Sequence, residues 1–183
     1  APGDFTPFAG GIVFHATDGA TGQEPWFSNG TPAGTHLISD AYRPRGDSSP
    51  RDFHVAGTRA FFTAENTTLG RELWGTDGTA SATAIVRDLS PGSSSPQISE
   101  FVVWRGRLWF PANADLAGLE LWQSDGTSAG TTRVADIRSG VNGSAPHALG
   151  VALDRLFFSA DAGQGDEPFV SDGTAAGTVQ LAD

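Results

Sequence analysis

The sequence contains no cysteine, no methionine and no lysine, and all 11 of its basic residues are arginine. Without cysteine there are no disulfides, no thiolate metal ligands and no cysteine nucleophile. Without lysine there is no Schiff-base chemistry and no P-loop lysine for phosphate. The chain also has no run of roughly 20 apolar residues, the length that a membrane-spanning helix needs. These absences exclude several enzyme classes and predict that the chain does not insert into a membrane.

Positive charge is scarce, since 21 acidic residues outnumber the basic ones and give a net charge of −10. Nucleic acids and anionic membrane surfaces bind through positive charge, so the composition predicts neither as a partner. The 183 residues are 38% hydrophobic and only 17% charged, which is too apolar for a disordered chain. With 24 glycines and 11 prolines, the composition favours a turn-rich protein over a helical bundle.

An internal repeat is the main signal in the sequence. A Glu-x-aromatic triplet recurs at intervals of 48, 48 and 47 residues, beginning at Glu24, Glu72, Glu120 and Glu167. Each triplet is followed by a turn of the type Ser/Thr-Asp/Asn-Gly-Thr, and these turns begin at Ser28, Thr76, Ser124 and Ser171. An upstream phenylalanine and a closing aspartate complete each unit: Phe14 and Asp40, Phe62 and Asp88, Phe110 and Asp136, Phe158 and Asp183. Self-similarity at a fixed period is typical of repeat architectures.

Each unit is predicted to be a small sheet. In residues 98–137 the pattern predicts four short strands, at Ile98–Trp104, Arg107–Pro111, Glu120–Ser124 and Thr131–Ile137. No window shows helical apolar spacing over about ten residues, so almost no helix is expected. Four strands in a unit of this length are typical of a propeller blade. We therefore predict an all-β, four-bladed β-propeller with four-stranded antiparallel blades.

The phase of the repeat predicts how the ring closes. The chain begins partway through a unit and ends partway through one, so the two termini are expected to complete one blade. The units are then 1–40 with closure by 167–183, 41–88, 89–136 and 137–183, within a single domain 1–183. Two alternatives remain open: an eight-bladed ring made by two copies, and a stacked β-solenoid.

The loop before each recurrent glutamate is the best candidate for ligand binding. These loops are rich in oxygen donors and glycine, and their candidate residues are Asp18, Glu65, Asn66, Asn113, Asp115 and Asp161. Ca²⁺ takes six to eight oxygen ligands, so it is the candidate cation, although no loop matches a known calcium motif. The alternative is that this polarity serves only to form turns.

The other repeated residues have competing interpretations. Glu24, Glu72, Glu120 and Glu167 either contact a ligand or pair structurally with backbone amides or arginine. The aromatics that follow them either stack on sugars or fill the seams between blades. The Asp-Gly-Thr segment is predicted to be a turn, because Asp and Asn bind the backbone two residues on and Gly supplies positive φ. Trp104 and Trp109 occur in one unit only and are candidate contacts for a ligand or partner.

No catalytic constellation stands out. The Gly-x-Ser-x-Gly pattern of many hydrolases occurs once, at Gly126–Gly130, but there it is part of the repeated Asp-Gly-Thr turn and leads into no predicted helix, as a nucleophile elbow requires. The recurrent acids occupy equivalent environments, whereas a catalytic pair needs two environments that separate the pKa values. The four histidines share no repeat position and predict no zinc site. We therefore predict that the protein is not an enzyme.

One segment carries a family resemblance. Residues Glu120–Thr131 read Glu-Leu-Trp-Gln-Ser-Asp-Gly-Thr-Ser-Ala-Gly-Thr. They resemble the ELWxSDGTxAGT tandem repeat of bacterial exported proteins, and the outer copies depart from it at Pro25, Pro168 and Phe169. The resemblance implies a β-propeller-like array and a secreted or cell-surface setting, but no particular activity. The start at Ala1-Pro2 is what a chain trimmed of a signal peptide, or an engineered one, has.

These observations predict a binding module. The leading hypothesis is a multivalent carbohydrate-binding, lectin-like propeller, in which four similar pockets take a glycan. The first alternative is a protein-interaction or surface scaffold that binds a surface protein through the one-off residues Trp104, Trp109, Tyr42 and Arg43. The second is a cation-binding propeller without sugar recognition. Both a monomer and a homo-oligomer are compatible with the sequence.

Overall fold

The computed structural model of the protein describes residues 1–43, 46–115 and 117–182. In these residues the chain forms sixteen strands and a single one-turn 3-10 helix, Ala80–Ala82. The strands form four sheets, each made of four consecutive antiparallel strands. The predicted all-β class with four four-stranded antiparallel blades is therefore confirmed. No helix in this part of the chain is long and apolar enough to cross a membrane.

The sheets are called blades 1 to 4 in chain order. Blade 1 contains β1 (Gly3–Phe8), β2 (Gly11–Thr17), β3 (Gln23–Ser28) and β4 (Thr35–Leu37). Blade 2 contains β5 (Arg51–Ala56), β6 (Arg59–Asn66), β7 (Gly70–Thr76) and β8 (Ala84–Ile85). Blade 3 contains β9 (Val102–Trp104), β10 (Arg107–Asn113), β11 (Leu119–Ser124) and β12 (Thr132–Arg133). Blade 4 contains β13 (His147–Ala152), β14 (Arg155–Asp161), β15 (Asp166–Ser171) and β16 (Val179–Gln180).

The two termini do not share a sheet in the described residues. All four strands of blade 1 lie within residues 3–37, and all four of blade 4 lie within residues 147–180. The prediction that both termini complete one blade is therefore wrong. The phase of the repeat does not require closure, because residues 3–37 already hold a whole blade: β1 and β2 precede the strand that carries Glu24, and β4 follows it. Asp183, the last closing aspartate, lies outside the described residues.

The chain divides into two compact units, Ala1–Ser95 and Pro96–Asp183, and each contains two blades. In unit 1 the core includes Phe53, Phe62 and Trp74, and the rings of Phe53 and Phe62 stack at 5.0 Å. In unit 2 it includes Trp104, Trp109, Leu121, Leu156 and Phe158. Large aromatic side chains are thus part of the buried core of both units.

The repeated Asp-Gly-Thr segment forms the predicted turn. In blade 3, Asp125 Oδ1 accepts from the backbone N–H of Thr127 at 2.9 Å and from its hydroxyl at 2.7 Å. The Ser124 and Thr131 hydroxyls lie 2.7 Å apart and close the hairpin behind it. The same bonds recur in the other three blades. A Cβ at Gly130 would lie 2.0 Å from Asp125 Oδ1, so this close approach requires glycine.

Candidate functional site

The loop residues predicted to bind a ligand use their oxygens within their own loops. Asp18 Oδ1 accepts from the backbone N–H groups of Ala20 at 2.8 Å and Thr21 at 2.9 Å, and from the Thr21 hydroxyl at 3.0 Å. These donors, led by the Thr21 amide, hold the pKa of Asp18 below its usual value. The carboxylate therefore closes a local turn, which is the alternative interpretation of its loop.

The corresponding loops of blades 2 and 4 behave in the same way. Asn66 Oδ1 accepts from the Thr68 amide at 3.0 Å and from its hydroxyl at 2.8 Å. Asp161 Oδ1 accepts from the amides of Gly163 and Gly165, and its other oxygen pairs with Arg138. Glu65 Oε1 lies 3.1 Å from Arg71 Nε, on a guanidinium that is nearly buried. The side-chain oxygens of these loops thus already accept hydrogen bonds from the protein or pair with its arginines.

The blade 3 loop offers no clearer site. Asn113 is half-buried at the end of β10, and its backbone N–H donates to the Pro96 carbonyl at 2.6 Å. Asp115 is exposed and has left-handed backbone geometry, with φ of 56°. Across residues 1–43, 46–115 and 117–182 no group of three or more His, Asp or Glu side chains is placed to hold a metal ion. Calcium binding stays a prediction that this arrangement does not favour.

Two of the recurrent glutamates hold the linker that leaves their blade. Glu120 is fully buried, and its carboxylate accepts from the amides of Ile137 and Arg138 at 3.3 and 3.1 Å. It also accepts from the Ser144 amide at 3.0 Å and from the Ser144 hydroxyl at 2.6 Å. Glu24 is likewise buried and bonded to Ser48 and the Ala41 amide. Their predicted role as ligand contacts is wrong, because these carboxylates face the backbone of the linker rather than solvent.

Glu72 occupies the same buried position with fewer partners. Its Oε2 accepts from the Leu89 amide at 3.3 Å, whereas Oε1 has no hydrogen-bond partner among the described residues. The serine that stands 24 residues after Glu24 and Glu120 is replaced by Pro96, which has neither an N–H group nor a hydroxyl. Burial, reinforced by nearby Asp88, raises the pKa of Glu72 to about 8. Its ligand role is also wrong, because the side chain is 0% exposed.

Glu167, the fourth recurrent glutamate, is only half-buried. It is the second residue of β15 and pairs with Ala160, which is the register that Glu120 has with Ala112 in blade 3. Its predicted ligand contact stays a prediction. The glutamate position therefore differs between blades in exposure, although the strand register is the same.

Trp104 and Trp109 do not form an exposed patch. They are 5% and 2% exposed, and their rings pack 4.9 Å apart in the core of unit 2. The Trp104 indole N–H donates to Asp154 Oδ1 at 3.0 Å, and the Trp109 indole N–H donates to the Trp104 carbonyl at 3.0 Å. The interpretation of these residues as surface contacts is wrong, since they lock blade 3 against blade 4.

Unit 1 contains a pocket that the sequence analysis did not identify. It has a volume of about 820 Å³ and lies where the β1–β2 hairpin meets the Asn29-Gly30 turn and the β5–β6 hairpin. Phe8, Ile12 and Val55 contribute apolar side chains, and the rest is glycine-rich turn and small polar groups. We call it the corner pocket, and it is lined by Pro7–Ile12, Ser28–Gly30, Val55, Gly57 and Thr58.

The corner pocket exists because unit 1 has small residues where unit 2 has large ones. A shift of 96 residues aligns the two units through their repeat. It matches Phe8, Ala9, Gly11, Gly57 and Thr58 with Trp104, Arg105, Arg107, Leu153 and Asp154. Gly11 also differs from the arginine that begins the second strand in every other blade, and Asn29 differs from the aspartate that this arginine faces there. In the sequence, the pocket is therefore marked by small residues at positions where the other units have larger or charged side chains.

Comparisons with known proteins support the fold. Models of protein families and the curated proteins give no match. A solved structure of a puromycin hydrolase mutant is similar over 99% of this chain and 30% of that protein, with 14% identity and a TM-score of 0.58. The acylaminoacyl peptidase of Pyrococcus horikoshii is similar over 100% of this chain and 27% of that protein, with 13% identity and a TM-score of 0.56.

Both proteins are propeller-type hydrolases, and the chain spans about 30% of the length of one and 27% of the other. Identity this low shows the fold alone, because one fold serves many unrelated activities. The comparisons therefore support a propeller-type fold and carry no activity over to this chain.

Proposed function

We propose that the protein is a non-catalytic binding module that holds an apolar segment of a partner protein in the corner pocket. The observation that carries this proposal is the pocket itself, about 820 Å³ in volume and walled by Phe8, Ile12 and Val55. Pockets of this size with apolar walls and few polar groups are typical binding sites. The walls belong to tight hairpins, so the site is largely formed before a ligand arrives.

A protein segment suits this pocket better than a glycan. A sugar needs free donors and acceptors to replace the water on its hydroxyls. The oxygens of Asp18, Asn66 and Asp161, which were predicted to supply them, close local turns instead. Carbohydrate binding therefore stays a prediction, whereas the apolar walls favour a buried aromatic or aliphatic anchor. The implied partner is a surface protein, in the exported setting that the repeat resemblance suggests.

The lining of the pocket also favours binding over catalysis. It contains no acidic, basic or imidazole side chain. Its serine, Ser28, has its hydroxyl 2.7 Å from the Thr35 hydroxyl and accepts from the Gly30 amide at 3.1 Å. A nucleophile needs an adjacent general base, and none lines this site.

The test is selection of peptides from a displayed library of random peptides of about 12 residues. The chain and its Ala9→Arg variant are screened in parallel, because an arginine at this position would cover the pocket as the half-exposed Arg105 covers the Trp104 ring in unit 2. Ala175→Arg, at an exposed turn of blade 4, is the matched control. We expect peptides that bind the chain and the control but lose binding to Ala9→Arg. Peptides that bind all three equally, or no enrichment beside a positive glycan array, would overturn the proposal.

A further inference from the structure

The filled corner of unit 2 shows which chemistry fits the open corner of unit 1. The Arg105 guanidinium lies over the Trp104 ring, with 4.4 Å from Cζ to the ring centroid. Arg105 donates to both carboxylate oxygens of Asp154, through Nε at 3.1 Å and Nη2 at 2.6 Å. Its Nη1 donates to the Asp172 carbonyl at 2.9 Å. An aromatic ring capped by a guanidinium thus completes this corner.

The backbone frame of that corner is retained in unit 1. Ala9 and Gly10 have φ of 49° and 77°, close to the 50° and 69° of Arg105 and Gly106. The turn of the neighbouring blade also approaches in the same way. A Cβ at Gly78 would lie 3.6 Å from the Phe8 ring, and a Cβ at Gly173 would lie 3.6 Å from the Trp104 ring. Unit 1 therefore keeps the hairpins and the turn but lacks the indole, the guanidinium and the carboxylate.

We propose that the corner pocket binds a partner segment in which an aromatic side chain stands next to an arginine. This inference rests on the proposed function and names the chemistry of the partner. The partner's aromatic ring supplies the additional apolar area by which the indole of Trp104 exceeds the phenyl ring of Phe8. The arginine takes the place of Arg105 over that ring, where the Asp77 carbonyl corresponds to the Asp172 carbonyl of unit 2. A stacked guanidinium is worth about 0.5–2 kcal/mol, which corresponds to a factor of roughly 2 to 30 in affinity.

The charge of the protein favours the same partner. The net charge of −10 attracts a basic segment and raises its association rate. A second opening of about 270 Å³ lies farther along β1 and β5 and is lined by Asp4, Phe5, Thr6, Asp52 and Phe53. Its two aspartates are exposed, and Arg51 lies 3.7 Å from Asp52. A basic partner that anchors its aromatic residue in the corner pocket would extend toward this acidic opening.

Four peptides of equal length test the inference by calorimetric titration. They carry Trp-Arg, Trp-Gln, Leu-Arg or Leu-Gln at their centre and are otherwise identical. We expect Trp-Arg to bind about tenfold more tightly than Leu-Gln, with the other two between them. Ala9→Arg should abolish this binding and Ala175→Arg should leave it unchanged. Thr58→Asp, which restores the carboxylate of Asp154, should tighten the two arginine peptides only.

The outcomes separate this inference from the proposed function. Equal affinity for all four peptides, lost in Ala9→Arg, would overturn the aromatic-arginine chemistry and leave the binding site standing. Binding of the peptides that Ala9→Arg does not affect, or no binding at all together with a failed library selection, would overturn both. Thermal unfolding of each variant checks that its fold is intact.

Discussion

The Ser144 hydroxyl donates to the Glu120 carboxylate at 2.6 Å, across 24 residues of chain. Ser48 and Glu24 form the same bond at 2.7 Å. Each pair fastens the linker that leaves a blade to the third strand of that blade. Pro96 interrupts the series, so the buried carboxylate of Glu72 has the backbone amides of Leu89 and Ser90 as donors but no serine hydroxyl.

The folded chain should lose stability as the pH rises from about 4.5 to about 8. Glu72 has a usual pKa of 4.5, and its pKa is raised to about 8 in the fold. In this interval the folded state keeps a proton that the unfolded state releases, so the free energy of unfolding falls as the pH rises. Glu72→Gln removes this titration and should weaken the pH dependence by about 2–4 kcal/mol. Urea unfolding at pH 5 to 9 measures it.

Glu120→Gln is the comparison for this variant. Glu120 has four donors, and an amide nitrogen in place of one oxygen leaves some of them unpaired, at a cost of about 1–3 kcal/mol. At pH 9 the two substitutions should therefore have opposite signs. Glu72→Gln should stabilise the chain and Glu120→Gln should destabilise it. Equal losses for both would contradict the account of Glu72.

Pro96→Ser should correct the same defect without changing the glutamate. It restores the amide and the hydroxyl that Glu24 and Glu120 receive, so the pKa of Glu72 should fall. The variant should unfold at a urea concentration that depends less on pH, with its largest gain above pH 8. Pro91→Ser, at an exposed position in the same linker, is the control and should leave the pH profile unchanged. Identical pH profiles of unfolding for the two variants would contradict the proposed effect of Pro96 on the pKa of Glu72.

The glycine that follows the turn in blades 1, 3 and 4 is required by packing against the Asn or Asp side chain of that turn. Gly130→Ala should destabilise the chain by about 1–3 kcal/mol, because the new Cβ would lie 2.0 Å from Asp125 Oδ1. Blade 2 already has alanine at this position, Ala82, within its 3-10 turn. Ala82→Gly should therefore change the stability by less than about 1 kcal/mol. Thermal unfolding of both variants checks the contrast, and a harmless Gly130→Ala would contradict it.

Emptying the corner of unit 2 should create a second binding site. The triple variant Trp104→Phe, Arg105→Ala and Asp154→Thr gives unit 2 three of the small residues of unit 1. If the Trp-Arg peptide binds the natural chain once, calorimetry should report two sites on the folded triple variant. A stoichiometry that stays at one, with an intact thermal transition, would show that missing side chains alone do not make the pocket.

The sequence predicts the repeated parts of this protein well because they depend on local chemistry. The Asx turns at Asp77 and Asp125 and the four-strand units follow from short-range rules. The corner pocket depends on the space that Ala9 and Thr58 leave open where unit 2 has Arg105 and Asp154, and the sequence alone does not show which side chains would border that space. Likewise, the oxygen-rich loop at Asp18 suggested a ligand, but its carboxylate binds the nearest amides.

The partners of the buried glutamates follow a sequence pattern, but its residues lie far apart along the chain. Ser48 and Ser144 each stand 24 residues after their glutamate, and Pro96 breaks the pattern. Only the fold brings these positions together. The burial of Trp104 has a related cause, since Asp154, which accepts a hydrogen bond from its indole, also occurs in one unit only.

Amide chemical-shift mapping during titration with the Trp-Arg peptide locates the binding site residue by residue. We expect the shifts to concentrate on Gly10, Gly30 and Gly57 around the corner pocket and to vanish in Ala9→Arg. Shifts centred instead on the loops of Asp18 and Asn66 would contradict this expectation and would return the binding site to the opposite ends of the strands.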